Sequence, residues 1–201
     1  MDLFILAFAI TVGVVLLNVK HQKRRSALLG HILGDSQIEL LIEKLTQGYL
    51  RAVSETDAAR RDQIWALIAK PETVVATEMK RFADDFAQVS AASARVSKLP
   101  VGLPWATQLP ARFNFDLREA LQMHARGIAD AVANHAGRSL RDKAFVVSAE
   151  IFLMQHTCHW YCRSRHVASV RLFAHHQTRH DQVLAAVSPE TRKAYGALTG
   201  F

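Results

Sequence analysis

Most residues that could do chemistry lie close together near the C-terminal end of the chain. Six of the ten histidines and both cysteines fall between His156 and His180. If this stretch is one helix, His159, Cys162 and His166 follow at i, i+3 and i+7 and share a face, with His156 at its edge. Imidazole nitrogen and thiolate sulfur are ligands for zinc and other transition metals. The stripe therefore predicts a metal site on His156, His159, Cys162 and His166.

Two other interpretations of this stretch stay open. No acidic residue occurs from Ile151 to His180, so the helix could contact anionic lipid, whereas nucleic acid is disfavoured because only a generic pattern supports it. The cations concerned are Arg163, Arg165, Arg171 and Arg179. In the simplest interpretation the histidines bond to neighbouring groups inside a helical core. A metal- or haem-binding sensor that uses the stripe is the alternative function. It is not the preferred one because the spacing matches no standard zinc pattern and no CxxCH haem motif.

Signatures of the commoner enzymes are absent from the sequence. There is no GxGxxG, GxxxxGK[ST], GxSxG or HExxH motif. Cys162 beside His159 or His166 could form a thiolate nucleophile, but the middle of a helix leaves little room for a substrate. We therefore expect a protein without enzymatic activity.

The first residues predict a membrane anchor. The 17 residues from Leu3 to Val19 contain only Thr11 and Asn18 as polar members. A helix of this length reaches roughly 25 Å, slightly less than a hydrocarbon core of about 30 Å. The cations Lys20, Lys23, Arg24 and Arg25 follow the apolar run, unlike the order in a cleaved signal peptide, and could also bind anionic lipid. We expect an uncleaved anchor with a basic flank over residues 1–25, in the plasma membrane, with the N-terminus outside.

The remaining chain is expected to form an all-α cytosolic bundle. Its 201 residues are 50% hydrophobic with a net charge of +7, which suits one folded domain rather than a disordered or disulfide-framed one. Residues 26–97 predict about three helices. One starts at a capping box, Ser36 to Glu39, the second runs from Ser54 to Lys70, and the third from Pro71 to about Val96.

The second half combines a loop with further helices. Three prolines in residues 98–112 exclude a regular helix, and the apolar residues between them predict an ordered loop. Its side chains Leu103, Trp105 and Leu109 are candidates for docking a partner. Residues 113–201 predict helices that begin near Asp116 and Ser139, and a short terminal one. No proline or glycine interrupts the second before Pro189, so it would be one long His/Arg-rich helix. Because an unbroken helix of this length is unusual, a kink or a coiled-coil-like projection is the alternative. No strand is expected.

These features favour an interaction protein over an enzyme. We expect a single-pass membrane protein whose cytosolic helical domain is an interaction, assembly or regulatory subunit of a membrane-associated complex. The long helix could also pair with a second copy of the chain.

Overall fold

The apolar start of the chain forms one long helix. In the computed structural model, which describes residues 2–34 and 38–200, α1 spans Asp2–Leu33. Every side chain from Leu3 to Val12 is exposed. The helix is long and apolar enough to cross a membrane. It continues without a break through the basic cluster, so position 25 is not a helix boundary, and Leu29 is already part of the domain core.

Two helices follow α1. Helix α2, Ile38–Ser54, buries Ile38, Ile42, Leu45 and Tyr49, the face that the apolar spacing predicts. The predicted capping box begins at Ser36, which lies outside the described residues. Helix α3 spans Ala58–Ala87. Its N-cap is Asp57, whose carboxylate accepts a hydrogen bond from the Arg60 N–H at 2.7 Å.

The predicted helix boundary at Pro71 is wrong. Helix α3 runs through this residue and ends at Ala87 rather than near Val96. An interior proline lacks the N–H of a helix bond and clashes with the preceding turn, at a cost of about 3 kcal/mol. Burial of Ile68 before it and of Val75 and Met79 after it offsets that cost. Tertiary packing thus overrides the local signal.

A small sheet was not expected from the sequence. After the short helix α4, Ala91–Ala94, strand β1, Arg95–Ser97, pairs antiparallel with β2, Asn114–Asp116. Strands of three residues are too short to show an alternating pattern. The proline-rich loop lies between them and contains 3-10 turns at Ala106–Gln108 and Ala111–Phe113.

The helix starts predicted near Asp116 and Ser139 are confirmed, but the long C-terminal helix is divided. Helix α5, Leu117–Ala133, has Asp116 as its N-cap, and α6, Leu140–Cys162, has Ser139. The chain then turns at Ser164, whose hydroxyl accepts a hydrogen bond from the Val167 N–H. The helices that follow are α7, Arg165–His176, α8, His180–Ala186, and α9, Pro189–Thr199. Of the helices from α6 to α9, α6 is the longest, with 23 residues.

The bundle has two apolar clusters. The larger joins α2, α3, α5, α6 and the end of α1. The smaller lies where α7, α8 and α9 fold back over α5 and α6, around Leu153, Leu172, Val183 and Tyr195. The histidine-rich stretch surrounds this second cluster.

Candidate functional site: the histidine-rich lobe and its groove

The turn at Ser164 separates the residues of the predicted metal site. His156, His159 and Cys162 lie on α6, whereas His166 lies on α7 with its side chain exposed. Within residues 2–34 and 38–200, no three His, Cys, Asp or Glu side chains are placed to hold a metal ion. The structure does not assemble the predicted ligand set, because the stripe depended on one continuous helix.

Two histidines are fully buried. His124 on α5 hydrogen-bonds the Thr157 hydroxyl at 2.9 Å, and His156 bonds the Ser169 hydroxyl of α7 at 3.1 Å. Burial lowers the pKa of His124 to about 3 and that of His156 to about 2. Both rings are therefore uncharged at neutral pH.

The bonds of Thr157 fix the tautomer of His124. The Thr157 hydroxyl donates its only proton to the carbonyl of Leu153 at 3.0 Å, so its oxygen must accept from Nε2–H of His124. The unprotonated Nδ1 has no hydrogen-bond partner among the described residues. Nε2 of His180 on α8 lies 3.4 Å from the Tyr195 hydroxyl oxygen of α9. The His180 ring also contacts the ring of His156 at a tilt of 37°, with centroids 4.3 Å apart. This cluster joins α5 to α9 and is a structural element.

The two cysteines are poorly suited to nucleophilic chemistry. Burial raises the pKa of Cys158 far above its usual range, and it also raises the pKa of Cys162. Both residues are therefore thiols at neutral pH, whereas a cysteine nucleophile reacts as the thiolate.

The remaining histidines of the stretch line a polar groove between α2 and the α6–α7 pair. The groove encloses about 520 Å³. One wall carries His159, His175, His176 and Arg171, and the other carries Glu39 and Glu43. Burial, with Arg171 nearby, lowers the pKa of His159 to about 4. His159 is therefore uncharged at neutral pH, whereas Arg171 on the same wall is a permanent cation.

An apolar groove adjoins the polar one and shares His175, His176 and Thr46 with it. It encloses about 420 Å³ between α2, α6 and α8. Leu50 and Phe145 line it although they are 66% and 55% exposed. Its floor includes Phe152, whose ring stacks on His176 with centroids 3.7 Å apart. Exposed apolar side chains from two helices thus meet at one open concavity, which we call the α2–α6 groove.

Sequence reasoning missed the α2–α6 groove. The available signal was that Leu50 and Val53 are apolar yet do not belong to the predicted buried face of α2. Such residues indicate a surface for another molecule only when a second element brings similar residues beside them. Phe145 on α6 is the second apolar residue that lies beside them. Its position depends on how α6 packs against α2, which the sequence does not show.

The residues predicted to bind lipid separate into three groups. Lys20, Lys23 and Arg24 are exposed at the end of the apolar run, and Arg171 is exposed on α7. Arg25 instead donates to the carbonyls of Tyr161 and Arg95, and Arg163 donates to the Gln22 amide oxygen at 2.7 Å. Of the other two, Arg165 is half-buried and Arg179 pairs with Asp181 at 3.0 Å. Arg25 and Arg163 therefore hold α1 on the bundle.

Comparison with known proteins gives no relative. No protein-family model matches the chain, and neither the curated proteins nor the solved structures contain a match.

Proposed function

We propose that this chain is a single-pass protein of the plasma membrane, with its N-terminus outside and its helical domain in the cytosol. The length and apolar character of α1 support the anchor. The exposed cations Lys20, Lys23 and Arg24 directly after the apolar run support the orientation, because positive flanks are retained on the cytoplasmic side.

The domain serves, in this proposal, as a non-enzymatic interaction or assembly subunit that binds a partner protein in the α2–α6 groove. The observation that carries this role is the exposure of Leu50 and Phe145 at one apolar concavity. An amphipathic helix is the partner segment that fits, because it presents apolar side chains on one face to a groove between helices.

The charges beside the groove also favour one distribution of charge on the polar face of the partner helix. In the adjoining polar groove the α7 wall carries the exposed Arg171, whereas Glu39 and Glu43 line the α2 wall. A partner helix that extends into this groove with carboxylates toward α7 would therefore be favoured over one with cations there. The proposed occupant is an amphipathic helix of another subunit whose carboxylates face α7.

Site-specific crosslinking tests the groove. A photo-reactive amino acid is placed at Leu50, at Phe145 or, as a control, at Leu67, which is 76% exposed on α3 outside the groove. In native membranes, Leu50 and Phe145 should crosslink to the same polypeptide, at residues on one apolar helix face. Leu67 should not. Equal crosslinking from Leu67, or attachment only to lipid or to a small molecule, would refute the docking role.

Two measurements test the anchor separately. Full-length protein should resist extraction of membranes at alkaline pH, and a reporter fused after Phe201 should be active only in the cytosol. Release by alkali or activity of the reporter outside the cell would refute the proposed placement.

A further inference from the structure

The proline-rich loop meets α1 where the apolar run ends. The side-chain amide of Asn18 donates to the carbonyl of Gly102 at 3.0 Å, and Asn18 is the next-to-last residue of the run. Position 102 accepts only glycine, because a Cβ there would lie 2.9 Å from the backbone oxygen of Arg163. A backbone bond from His166 to the carbonyl of Pro100, at 3.1 Å, also holds the loop. The loop is thus fixed both to the domain and to the anchor.

The contact with the domain begins inside the apolar run. Side chains from Leu3 to Val12 are exposed, whereas Val14, one turn before Asn18 on the same face, is half-buried. Val14 and Val19 are five helix positions apart, which corresponds to about 7–8 Å along the axis. Interfacial elements enter the headgroup and acyl boundary by a similar depth, roughly 5–10 Å. The domain therefore reaches the level of the membrane surface if α1 spans the bilayer.

The loop presents apolar side chains at this level. Val101 is 56% exposed, Leu103 46% and Trp105 52%, although backbone hydrogen bonds from Ala106 to Leu103 and from Gln108 to Trp105 order the segment. Contiguous exposed apolar groups of this kind are unfavourable in water. Tryptophan in particular is enriched at the membrane interface, where its ring is apolar and its N–H is solvated.

The charges around the loop are also those of a membrane contact. No acidic residue occurs between Phe86 and Phe115, and this stretch contains Arg95, Lys98 and Arg112. The exposed cations Lys20 and Lys23 follow the anchor. Cations at this position are attracted to an anionic leaflet.

We propose that the loop, residues 98–113, is a second membrane contact in which Val101, Leu103 and Trp105 enter the bilayer interface beside α1. This inference rests on the membrane-spanning role of α1 in the proposed function. The occupant is lipid rather than a partner protein, because the loop is bonded to the anchor at the end of its apolar run. A single helix leaves an attached domain free to rotate, whereas two contacts determine which side of the domain faces the bilayer.

Quenching of tryptophan fluorescence by brominated lipid tests the loop. Full-length protein is reconstituted into vesicles of phosphatidylglycerol and phosphatidylcholine brominated at shallow or deep acyl positions. The chain has three tryptophans, of which Trp160 is buried and Trp65 half-buried on α3. Shallow bromines should quench the emission of wild type and of Trp65→Phe, and most of this quenching should disappear in Trp105→Phe.

A second pair of variants retains Trp105. Leu103→Glu should reduce its quenching by shallow bromines several-fold, because a carboxylate opposes insertion among apolar chains and anionic headgroups. Leu67→Glu, a matched exposed leucine on α3, should leave the quenching unchanged.

The outcomes separate the loop from the anchor. Vesicles are washed at alkaline pH to establish whether the chain stays inserted. If it stays inserted while Trp105 is quenched by aqueous iodide and not by lipid, the loop contact is refuted and the anchor is not. Shielding of Trp105 from both quenchers would indicate a protein contact and would also refute the proposal. Loss of the chain on washing would refute both.

Discussion

Gly127 of α5 approaches Glu150 of α6 so closely that no methyl group fits between the two helices. A Cβ at position 127 would lie 2.6 Å from Oε2 of Glu150 and would also overlap the Thr191 hydroxyl of α9. Both neighbours are buried, and the Glu150 carboxylate is held by the Ser188 N–H at 3.0 Å. Three helices therefore meet at a point where only glycine fits.

We expect Gly127→Ala to destabilise the domain by about 1–3 kcal/mol, because overpacking outweighs the better helix propensity of alanine. Thermal unfolding of the detergent-solubilised chain, followed by near-UV circular dichroism, measures this. Gly30→Ala is the control, since nothing lies within 4 Å of a Cβ at that helical position. It should be neutral or slightly stabilising, and equal effects of the two substitutions would contradict the packing argument.

Glu150 should make the domain less stable as pH rises. Burial raises the pKa of its carboxyl, with Asp130 contributing in the same direction. The native state then keeps a proton that the unfolded chain releases above about pH 4.5, so stability falls with pH until the raised native pKa is passed. Glu150→Gln keeps an oxygen for the Ser188 N–H and cannot ionise. Its stability advantage over wild type should grow as pH rises above about 4.5 and should be smallest at acidic pH.

The buried histidines should make the domain less stable as pH falls. The native pKa of His124 is about 3, below the ordinary 6.5, so as pH falls below 6.5 the unfolded chain gains a proton that the folded chain does not bind. Each such ring costs about 1.4 kcal/mol of stability per pH unit over that range. His124→Gln should therefore show a shallower loss of unfolding midpoint between about pH 6.5 and pH 5. Equal slopes for wild type and His124→Gln would contradict this prediction.

A buried ion pair joins the first and second halves of the bundle. Glu72 of α3 accepts a hydrogen bond from the Tyr49 hydroxyl at 2.7 Å and pairs with Lys143 of α6, and the Lys143 and Glu72 side chains are only 14% and 7% exposed. Lys143→Ala leaves a buried carboxylate without its cation, so we expect a loss of about 3–5 kcal/mol.

Denaturant unfolding measures this loss against two controls. Lys80→Ala removes the exposed Lys80–Asp84 pair and should cost less than about 1 kcal/mol. The double variant Lys143→Met with Glu72→Gln removes both charges and should recover most of the stability. If Lys143→Ala costs no more than Lys80→Ala, the buried pair does not stabilise the fold.

Those features that local chemistry determines were predictable from the sequence. The buried face of α2 follows from apolar residues at helical spacing, and the starts of α5 and α6 follow from Asp116 and Ser139 as capping residues. The turn at Ser164 uses the same capping chemistry as Ser139. It was not predicted because no glycine or proline marks it, and the packing of α7 against α6 decides where the chain folds back.

The candidate site depended even more on tertiary structure. Leu50 and Phe145 form one groove because α2 packs beside α6, and no local pattern relates the two positions. For the predicted metal site, in contrast, a local pattern existed but the tertiary structure did not assemble the site. Its spacing was correct for a helix, but the helix ends at Cys162, so spacing alone could not place His166 beside His159.

Pro71 offers a direct test of packing against local propensity. It lies inside α3 and removes the hydrogen bond that its N–H would donate to the carbonyl of Leu67. Pro71→Ala should stabilise the domain by about 1–2 kcal/mol, since the gain in helix propensity exceeds the entropy that proline removes from the unfolded chain. Pro189→Ala is the matched control, because proline at the first position of α9 interrupts no helix bond and little gain is expected. A loss of stability in Pro71→Ala would mean instead that the packing of Ile68 and Val75 requires the helix geometry that proline imposes.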